Sequence, residues 1–123
     1  MALITTFQAA LASGVSLAAS GTSASYILDA TSTGTVGANL YCEITAGAAV
    51  SAGATVTFTV QEWDGVSYMA TGRPFQVTTP AATLSATLPN SISLVQAKYQ
   101  IVATNQDASN GVTFTIRYSL IAQ

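Results

Sequence analysis

The sequence predicts an all-β fold, an antiparallel β-sandwich of seven or eight strands with a jelly-roll or an immunoglobulin-like topology. Three observations predict it. Apolar and polar side chains alternate along most of the chain, which is typical of half-buried strands. Turn signals rich in Gly, Pro, Asn and Ser separate these runs at intervals that favour a sandwich or a barrel. No helical pattern of 10–15 residues joins two strands, which argues against a parallel α/β sheet.

The first twenty residues form the one ambiguous stretch. Leu3, Phe7 and Leu11 have helical spacing, and the many Ala residues favour helix. However, no capping residue opens the segment and Gly14 interrupts it, so we expect residues 1–20 to form an extended N-terminal arm or a first strand. If this arm reaches onto a neighbouring chain, its three large apolar side chains become candidate interface residues. Residues 21–123 are expected to form a single sandwich domain.

Two early strands are indicated over residues 25–30 and 38–46. In the second of them Leu40, Cys42 and Ile44 share one face. A lone Cys on an apolar face behaves as a small core residue, and a buried thiol is chemically inert. We therefore expect Cys42 to be structural.

The clearest strand covers residues 55–63, where Thr alternates with Val and Phe. Asp64-Gly65 follows, and this dipeptide is a strong signal for a two-residue hairpin turn because both residues tolerate positive φ. Residues 66–69 are predicted to be the return strand. Further strands are indicated over residues 75–78 and 82–88.

The predicted hairpin brings Trp63 and Tyr68 onto opposite arms. Packed together, the two rings would add about 0.5–1.5 kcal/mol beyond their buried area. Exposed on the sheet, they would instead form a stacking platform for a sugar ring, so both roles remain open. Glu62 and Asp64, the closest carboxylates, are interpreted as a solvated strand end and a turn residue, with Arg73 as a possible ion-pair partner across the hairpin.

The C-terminal part of the chain predicts two more strands, over residues 95–103 and 112–120. Asn110-Gly111 precedes the second of them and signals a tight turn. The two strands are therefore expected to pair as a long hairpin with residues 105–111 as its loop. This pairing would place Arg117 near Lys98 or near Thr side chains.

The low charge excludes several classes of function. Only 7% of the residues are charged, against roughly 25% in an ordinary soluble domain. Without His and with a single Cys, zinc sites built on these ligands, His-dependent triads and an internal disulfide are impossible. Three cationic side chains cannot supply the basic patch that nucleic acid requires. We therefore expect no catalytic, cofactor-binding or metal-binding residues, and no nucleic-acid partner.

The sequence also lacks the signals of export and membrane insertion. The first basic residue is Arg73, whereas a signal peptide has a basic N-terminal region. Polar residues interrupt the apolar-leaning stretch over residues 1–19, whereas a membrane-spanning helix needs about 20 mostly apolar residues. We expect a protein that is made in the cytoplasm and has no membrane partner.

Three features of the sequence occur together. A Thr-rich strand runs into Gln61-Glu62-Trp63-Asp64-Gly65-Val66-Ser67-Tyr68, a Thr/Ala-rich stretch closes with Leu88, and a final strand begins Val112-Thr113-Phe114-Thr115-Ile116. Over about residues 38–123 this arrangement resembles small β-sandwich structural proteins encoded among the virion genes of tailed bacteriophages. The resemblance carries over no catalytic residues.

The resemblance implies a non-enzymatic protein of the virion, made in the host cytoplasm. The first expectation is a capsid decoration or cement protein that binds the major capsid protein, other virion proteins or further copies of itself. A tail, neck or fibre component is an alternative, and so is a carbohydrate-binding adhesion module that uses Trp63 and Tyr68. The low charge agrees with life in an assembly, because a free domain usually keeps about 25–35% of its surface charged. Strand edges without Lys or Pro are also expected to invite pairing with neighbours.

Overall fold

The computed structural model describes residues 3–4, 9–29, 35–46, 54–63, 66–69, 73–79, 85–87, 92–94 and 98–122 of the chain. The described residues contain ten β-strands and no helix. The strands are β1 (Leu3–Ile4), β2 (Ala9–Leu17), β3 (Tyr26–Asp29), β4 (Thr35–Ala46), β5 (Thr55–Glu62), β6 (Arg73–Thr78), β7 (Ser85–Thr87), β8 (Ile92–Leu94), β9 (Lys98–Asn105) and β10 (Val112–Ala122).

The strands form two antiparallel sheets. In the first sheet β10 lies between β4 on one side and β1 and β2 on the other, and β7 and β8 follow one another along the outer edge of β4. In the second sheet the order is β3-β9-β5-β6. Each sheet is thus four strand positions wide, which confirms the predicted antiparallel β-sandwich.

The connections between strands decide the topology. Consecutive strands belong to the same sheet in only three cases among the described strands, β1 with β2, β5 with β6, and β7 with β8. At each of the other six connections the chain passes from one sheet to the other. An immunoglobulin-like sandwich instead pairs several consecutive strands within one sheet. Eight strand positions with a chain that keeps crossing the sandwich define a jelly roll.

The predicted C-terminal hairpin is wrong, although both of its strands exist. β9 belongs to the second sheet and β10 to the first, so the two strands do not pair. Alternation reports which side of a strand is buried, and it says nothing about the partner strand. The loop between the strands crosses the sandwich, whose sheets are typically about 10 Å apart.

The predicted return strand over residues 66–69 is also wrong, because β6 takes that place. The register of β5 with β6 runs from Thr55 opposite Thr78 to Val60 opposite Arg73. Arg73 therefore lies opposite Val60 and not opposite Glu62 in the ladder. The segment over residues 66–69 keeps one isolated bridge, from Tyr68 to Trp63, which directly follows β5.

The core lies between the inner faces of the two sheets. Phe114 of β10 packs T-shaped against Phe58 of β5 at 6.1 Å and against Tyr26 of β3 at 6.0 Å between ring centroids. Cys42 is 1% exposed within this core, and burial raises the pKa of its thiol, because desolvation disfavours the thiolate. The buried thiol therefore serves packing, as a structural Cys should.

The N-terminal segment is part of the first sheet of its own chain. β2 pairs with β10 from Val112 opposite Leu17 to Tyr118 opposite Ala9, with two breaks in the register. At the first break Gly14 adopts a φ of +57°, which favours glycine, and its N–H donates to Thr115 Oγ1 at 3.0 Å. Such β-bulges twist an edge strand and discourage pairing with another chain.

The second sheet protects one of its edges in a different way. Pro74 lies in the edge strand β6 and removes a backbone donor. The expectation of unguarded strand edges is therefore wrong at β2 and at β6. Association through these two edges is disfavoured, and the faces of the sheets become the surfaces to consider.

The loop between β9 and β10 is held by side chains and not by a tight turn. Asn105 is 2% exposed, and its Nδ2 donates to the backbone oxygens of Ala18 at 3.1 Å and Asn110 at 2.9 Å. The carboxylate of Asp107 accepts the N–H of Ser109 at 2.8 Å, and both the N–H and the side-chain amide of Asn110. These bonds lower the pKa of Asp107, the Ser109 N–H contributing most.

We expect the stability of the protein to depend on pH through Asp107. The pKa of Asp107 is lower in the folded chain than in the unfolded one. The ionised carboxylate therefore contributes to the free energy of unfolding. This contribution is fully present above the ordinary carboxyl pKa of about 3.9 and is lost as the pH falls through the lowered folded pKa. Urea unfolding of the wild type and of Asp107→Asn between pH 7 and pH 2 should show a difference that shrinks on acidification. A Thr45→Ala variant, which alters no titrating group, should differ from the wild type by a constant amount. A constant difference for Asp107→Asn as well would contradict the prediction.

Candidate functional site

One end of the second sheet carries the aromatic cluster that the sequence singled out. The N–H of Trp63 donates to the backbone oxygen of Lys98 at 3.0 Å, which extends the ladder between β5 and β9 by one residue. Trp63 follows Gln61 by two residues, so both side chains belong to the outward face of the strand.

Trp63 and Tyr68 contact each other from opposite arms of the hairpin, as predicted. Four residues and not two separate them, so the predicted two-residue turn is wrong in its length, and Asp64 and Gly65 themselves lie outside the described residues. They form an antiparallel bridge, and their rings are T-shaped with centroids 5.0 Å apart. The N–H of Met69 donates to the backbone oxygen of Glu62 at 2.8 Å, which closes the tip further. The ring contact is worth about 0.5–1.5 kcal/mol beyond the buried area.

Lys98 is the member of the cluster that sequence reasoning missed. Its Nζ lies 5.1 Å from the centroid of the Trp63 ring, within cation–π range. The indole is therefore engaged by a cation and by Tyr68, and it is not a bare platform for stacking. The partner was missed because Lys98 lies 35 positions away in the chain and reaches Trp63 only through the pairing of β9 with β5.

The segment after the bridge exposes two apolar side chains, Val66 at 84% and Met69 at 47%. Single exposed apolar residues are normal on a protein surface. The contact between Trp63 and Tyr68 joins this segment to the end of the sheet.

The outward side of the second sheet carries uncharged polar groups at its centre, whereas Asp29 of β3 lies opposite Lys98 of β9 at one end. We name its central part the amide–hydroxyl face and define it by Thr57, Gln61, Gln76, Gln100 and Thr104. Gln100 Nε2 donates to Gln61 Oε1 at 2.7 Å, and Gln76 Nε2 donates to Thr57 Oγ1 at 3.3 Å. These bonds run between neighbouring strands and hold the side chains in place.

The outward side of the first sheet differs, because it contains an ion pair. We name it the ion-pair face and define it by Glu43, Thr45, Thr113, Thr115 and Arg117. Arg117 Nη1 donates to Glu43 Oε1 across β10 and β4, and both side chains are about two-fifths exposed. The expected position of Arg117 near Lys98 is wrong, since Lys98 lies in the opposite sheet.

The structure does not gather the arm residues into one surface. Leu11 is half-buried and packs against the core of its own chain. Leu3 lies in β1 opposite Ala122, and Phe7 lies outside the described residues. The two residues that the structure places, Leu3 and Leu11, belong to strands that pair with β10 of the same chain.

The described residues offer no cluster of three or more His, Cys, Asp or Glu side chains for a metal ion. They also include no helix that is long and apolar enough to cross a membrane. Near the chain entry to β10, an open depression of about 510 Å³ is lined by Ser16, Leu17, Ala18, Gly111, Val112 and Thr113. No charged side chain lines this depression.

The chain is thus a jelly-roll sandwich with one amide–hydroxyl face and one face whose described charges are paired. No family model matches it, and no curated protein matches it. Solved structures share the fold. Dimeric latent PorU from Porphyromonas gingivalis is 12% identical with a TM-score of 0.53, over 100% of this chain and 12% of that one.

Two carbohydrate-active enzymes also contain the fold. The exo-β-1,3-galactanase from Phanerochaete chrysosporium, solved with β-1,3-galactotriose, is 15% identical with a TM-score of 0.51, over 95% of this chain and 26% of that one. The Clostridium thermocellum xylanase 10B, solved as CBM22-1 and GH10 modules with xylohexaose, is 8% identical with a TM-score of 0.53, over 92% and 24%. This chain therefore spans about a quarter or less of these structures, and the likeness shows the fold alone.

Proposed function

We propose that this chain is a non-enzymatic structural protein of a bacteriophage virion, a capsid decoration or cement protein that binds the shell and neighbouring copies. One observation carries the proposal. Among the side chains that define the ion-pair face, the two charges form an ion pair with each other and the remaining three are the hydroxyl side chains of Thr45, Thr113 and Thr115.

Such a face suits burial against another protein. An unpaired charge is expensive to remove from water, whereas a paired one is compensated by its partner. Thr45, Thr113 and Thr115 add little side-chain entropy cost and no charge, so a second protein can cover this surface with small losses. Many weak contacts of this kind, repeated over a symmetric shell, fasten a small protein firmly.

The fold and the sequence support the same proposal. Jelly rolls are common in viral capsid proteins. Because one fold serves many functions, the surface and the resemblance over residues 38–123 supply the specific part of the argument.

The first test is whether the chain is present in virions. Phage particles from the lineage that encodes it should be purified by density gradient, and their proteins quantified by mass spectrometry. We expect many copies per particle, and immunogold labelling over the shell. Label over the tail or neck would contradict the decoration role in favour of a tail component, and absence from the particles would overturn the proposal.

The second test asks which face makes the contact. Thr45→Lys combined with Thr113→Lys puts two unpaired cations opposite each other on the ion-pair face. The matched control is Thr57→Lys with Thr104→Lys, which are paired in the same way on the other sheet. Each pair of like charges should lower the free energy of unfolding by about 0.2–1 kcal/mol, so both variants should remain folded. We expect the first variant to lose particle binding and oligomers in native mass spectrometry, and the control to keep both. Equal behaviour of the two variants would contradict the assignment to this face.

A further inference from the structure

We propose that the amide–hydroxyl face of the second sheet is a binding site for a neutral polysaccharide. The proposal goes beyond the virion role and does not rest on it. It follows from the way in which polar and small side chains alternate from rung to rung along the strands of this face.

The face consists of two polar rungs with a mostly apolar rung between them. Gln76, Thr57 and Thr104 lie side by side across β6, β5 and β9. Four residues further along β5, Gln61 pairs with Gln100. The two polar rungs are therefore roughly 13 Å apart along the strands. A ligand that contacts both must be longer than a single sugar ring.

The rung between them has Thr59 flanked by Pro74 and Val102. These side chains are small, and Pro74 is exposed while Val102 is half-buried. Pro74 and Val102 supply apolar surface on either side of the Thr59 hydroxyl, so this rung is low and mostly apolar between the two polar rungs. A sugar ring presents hydroxyls at its rim and C–H groups on its faces, which matches polar rungs on either side of a mostly apolar one.

The amides can recognise hydroxyl groups in both directions. A glutamine side chain offers two donors and two acceptor lone pairs, and a sugar hydroxyl both donates and accepts. The bond from Gln76 to Thr57 uses one donor of the glutamine, and the bond from Gln100 to Gln61 likewise uses one. Because these bonds already restrict the side chains, less conformational entropy is lost when a ligand binds.

The charge distribution selects a neutral ligand. The five side chains that define the face are all uncharged, and at the next rung Asp29 lies opposite Lys98, so the two charges beside the face have opposite signs. An uncharged polyhydroxyl chain is the partner whose chemistry matches this surface.

Trp63 gives the site a built-in reporter. It is the single Trp of the chain, it is half-buried, and it follows Gln61 on the same face of β5. A polysaccharide that crosses the second polar rung comes next to the indole and changes its environment. Its fluorescence should therefore shift when the ligand binds.

The test is affinity electrophoresis in native gels that contain soluble xylan, β-1,3-glucan, galactan or mannan, together with fluorescence titration of Trp63. Polygalacturonate and a gel without polysaccharide serve as controls. We expect at least one neutral polysaccharide to retard the wild type and to shift Trp63 emission. Gln76→Ala combined with Gln100→Ala should weaken binding by about tenfold or more, because two hydrogen-bonding groups are lost. The Thr45→Lys, Thr113→Lys variant on the opposite sheet should bind as the wild type does.

Three results would overturn the proposal: no retardation by any of the four neutral polysaccharides, unchanged binding by the double Gln variant, or equally strong binding to polygalacturonate. If the double Gln variant does not fold, as judged by circular dichroism, Thr57→Lys with Thr104→Lys tests the same face. Polysaccharide binding is measured on the isolated protein and virion association on particles, so either proposal can fail without the other.

Discussion

Deletion of residues 1–17 is expected to leave a chain that aggregates and shows no cooperative unfolding transition. The deletion removes β1 and β2, and β2 covers the side of β10 from Val112 to Tyr118. It also removes Ala12 and Leu17 from the core, where they are 6% and 5% exposed. The flank of a long central strand would then be open to pairing with other chains, which is a known route to aggregation.

Deletion of residues 1–8 is the matched control for this experiment. It removes β1, which pairs only at Leu3 and Ile4, and it keeps all of β2. We expect this shorter deletion to stay monodisperse or to keep the wild-type assembly in light scattering, with a cooperative melt by circular dichroism. If the 1–17 deletion melts cooperatively at the wild-type temperature, the N-terminal segment is an accessory arm and not a strand of the domain.

Phe114→Ala is expected to lower the free energy of unfolding by about 3–5 kcal/mol. The Phe114 side chain is fully buried, and it is the ring of the first sheet that contacts Phe58 and Tyr26 of the second. Its removal leaves a cavity and also loses two T-shaped ring contacts between the sheets. A loss of this size is a large fraction of the 5–15 kcal/mol that typically stabilises a domain.

Two further variants serve as comparisons for Phe114→Ala. Equilibrium urea unfolding measures the free energy of unfolding of all three variants. Phe114→Leu keeps most of the volume and should cost clearly less than the Ala variant. Thr113→Ala, at the neighbouring outward position of the same strand, should change stability by at most about 0.5 kcal/mol. Equal losses at positions 113 and 114 would show that β10 does not divide an inner face from an outer one.

The outward faces of the two sheets differ in chemistry, and we propose a different binding role for each. In the first sheet Glu43 and Arg117 neutralise each other within the surface, which suits contact with protein. In the second sheet the glutamines of β5, β6 and β9 form rungs with Thr side chains, which suits contact with sugar hydroxyls. A protein that is fixed to a particle by one face and displays the other would combine both properties.

Part of the candidate site followed from local sequence. The turn signal placed Trp63 and Tyr68 on opposite arms of a hairpin, and their rings do meet. The register of the hairpin did not follow from it, because a two-residue turn at Asp64-Gly65 would place Trp63 opposite Val66. Lys98 and the pairing of Gln61 with Gln100 did not follow, since they depend on which strand lies beside β5. The polar positions of Gln76 and Gln100 within their strands were visible in the sequence. They could have suggested an amide-rich surface, but not that the two strands belong to the same sheet.

The sequence by itself determined the all-β class, most of the strands and the inward side of the clearest ones. Cys42 was correctly predicted to be a core residue, and the apolar side of the alternation at Phe58 and Phe114 is the buried side. Alternation is a local property, because neighbouring side chains of a strand must point to opposite faces. It therefore survives whatever partner the strand takes.

Only the tertiary structure decided which strands pair and which side chains meet across the sheets. The loop between β9 and β10 reads as a hairpin turn, yet Asn105 and Asp107 hold it as a crossing between sheets. A sandwich needs both inner faces covered, so the burial of Phe114 against Phe58 outweighs the local preference of Asn110-Gly111 for a tight turn. The pairing of strands also decided where the few charges lie. Glu43 and Arg117 meet on the first sheet, and Asp29 lies opposite Lys98 at one end of the second.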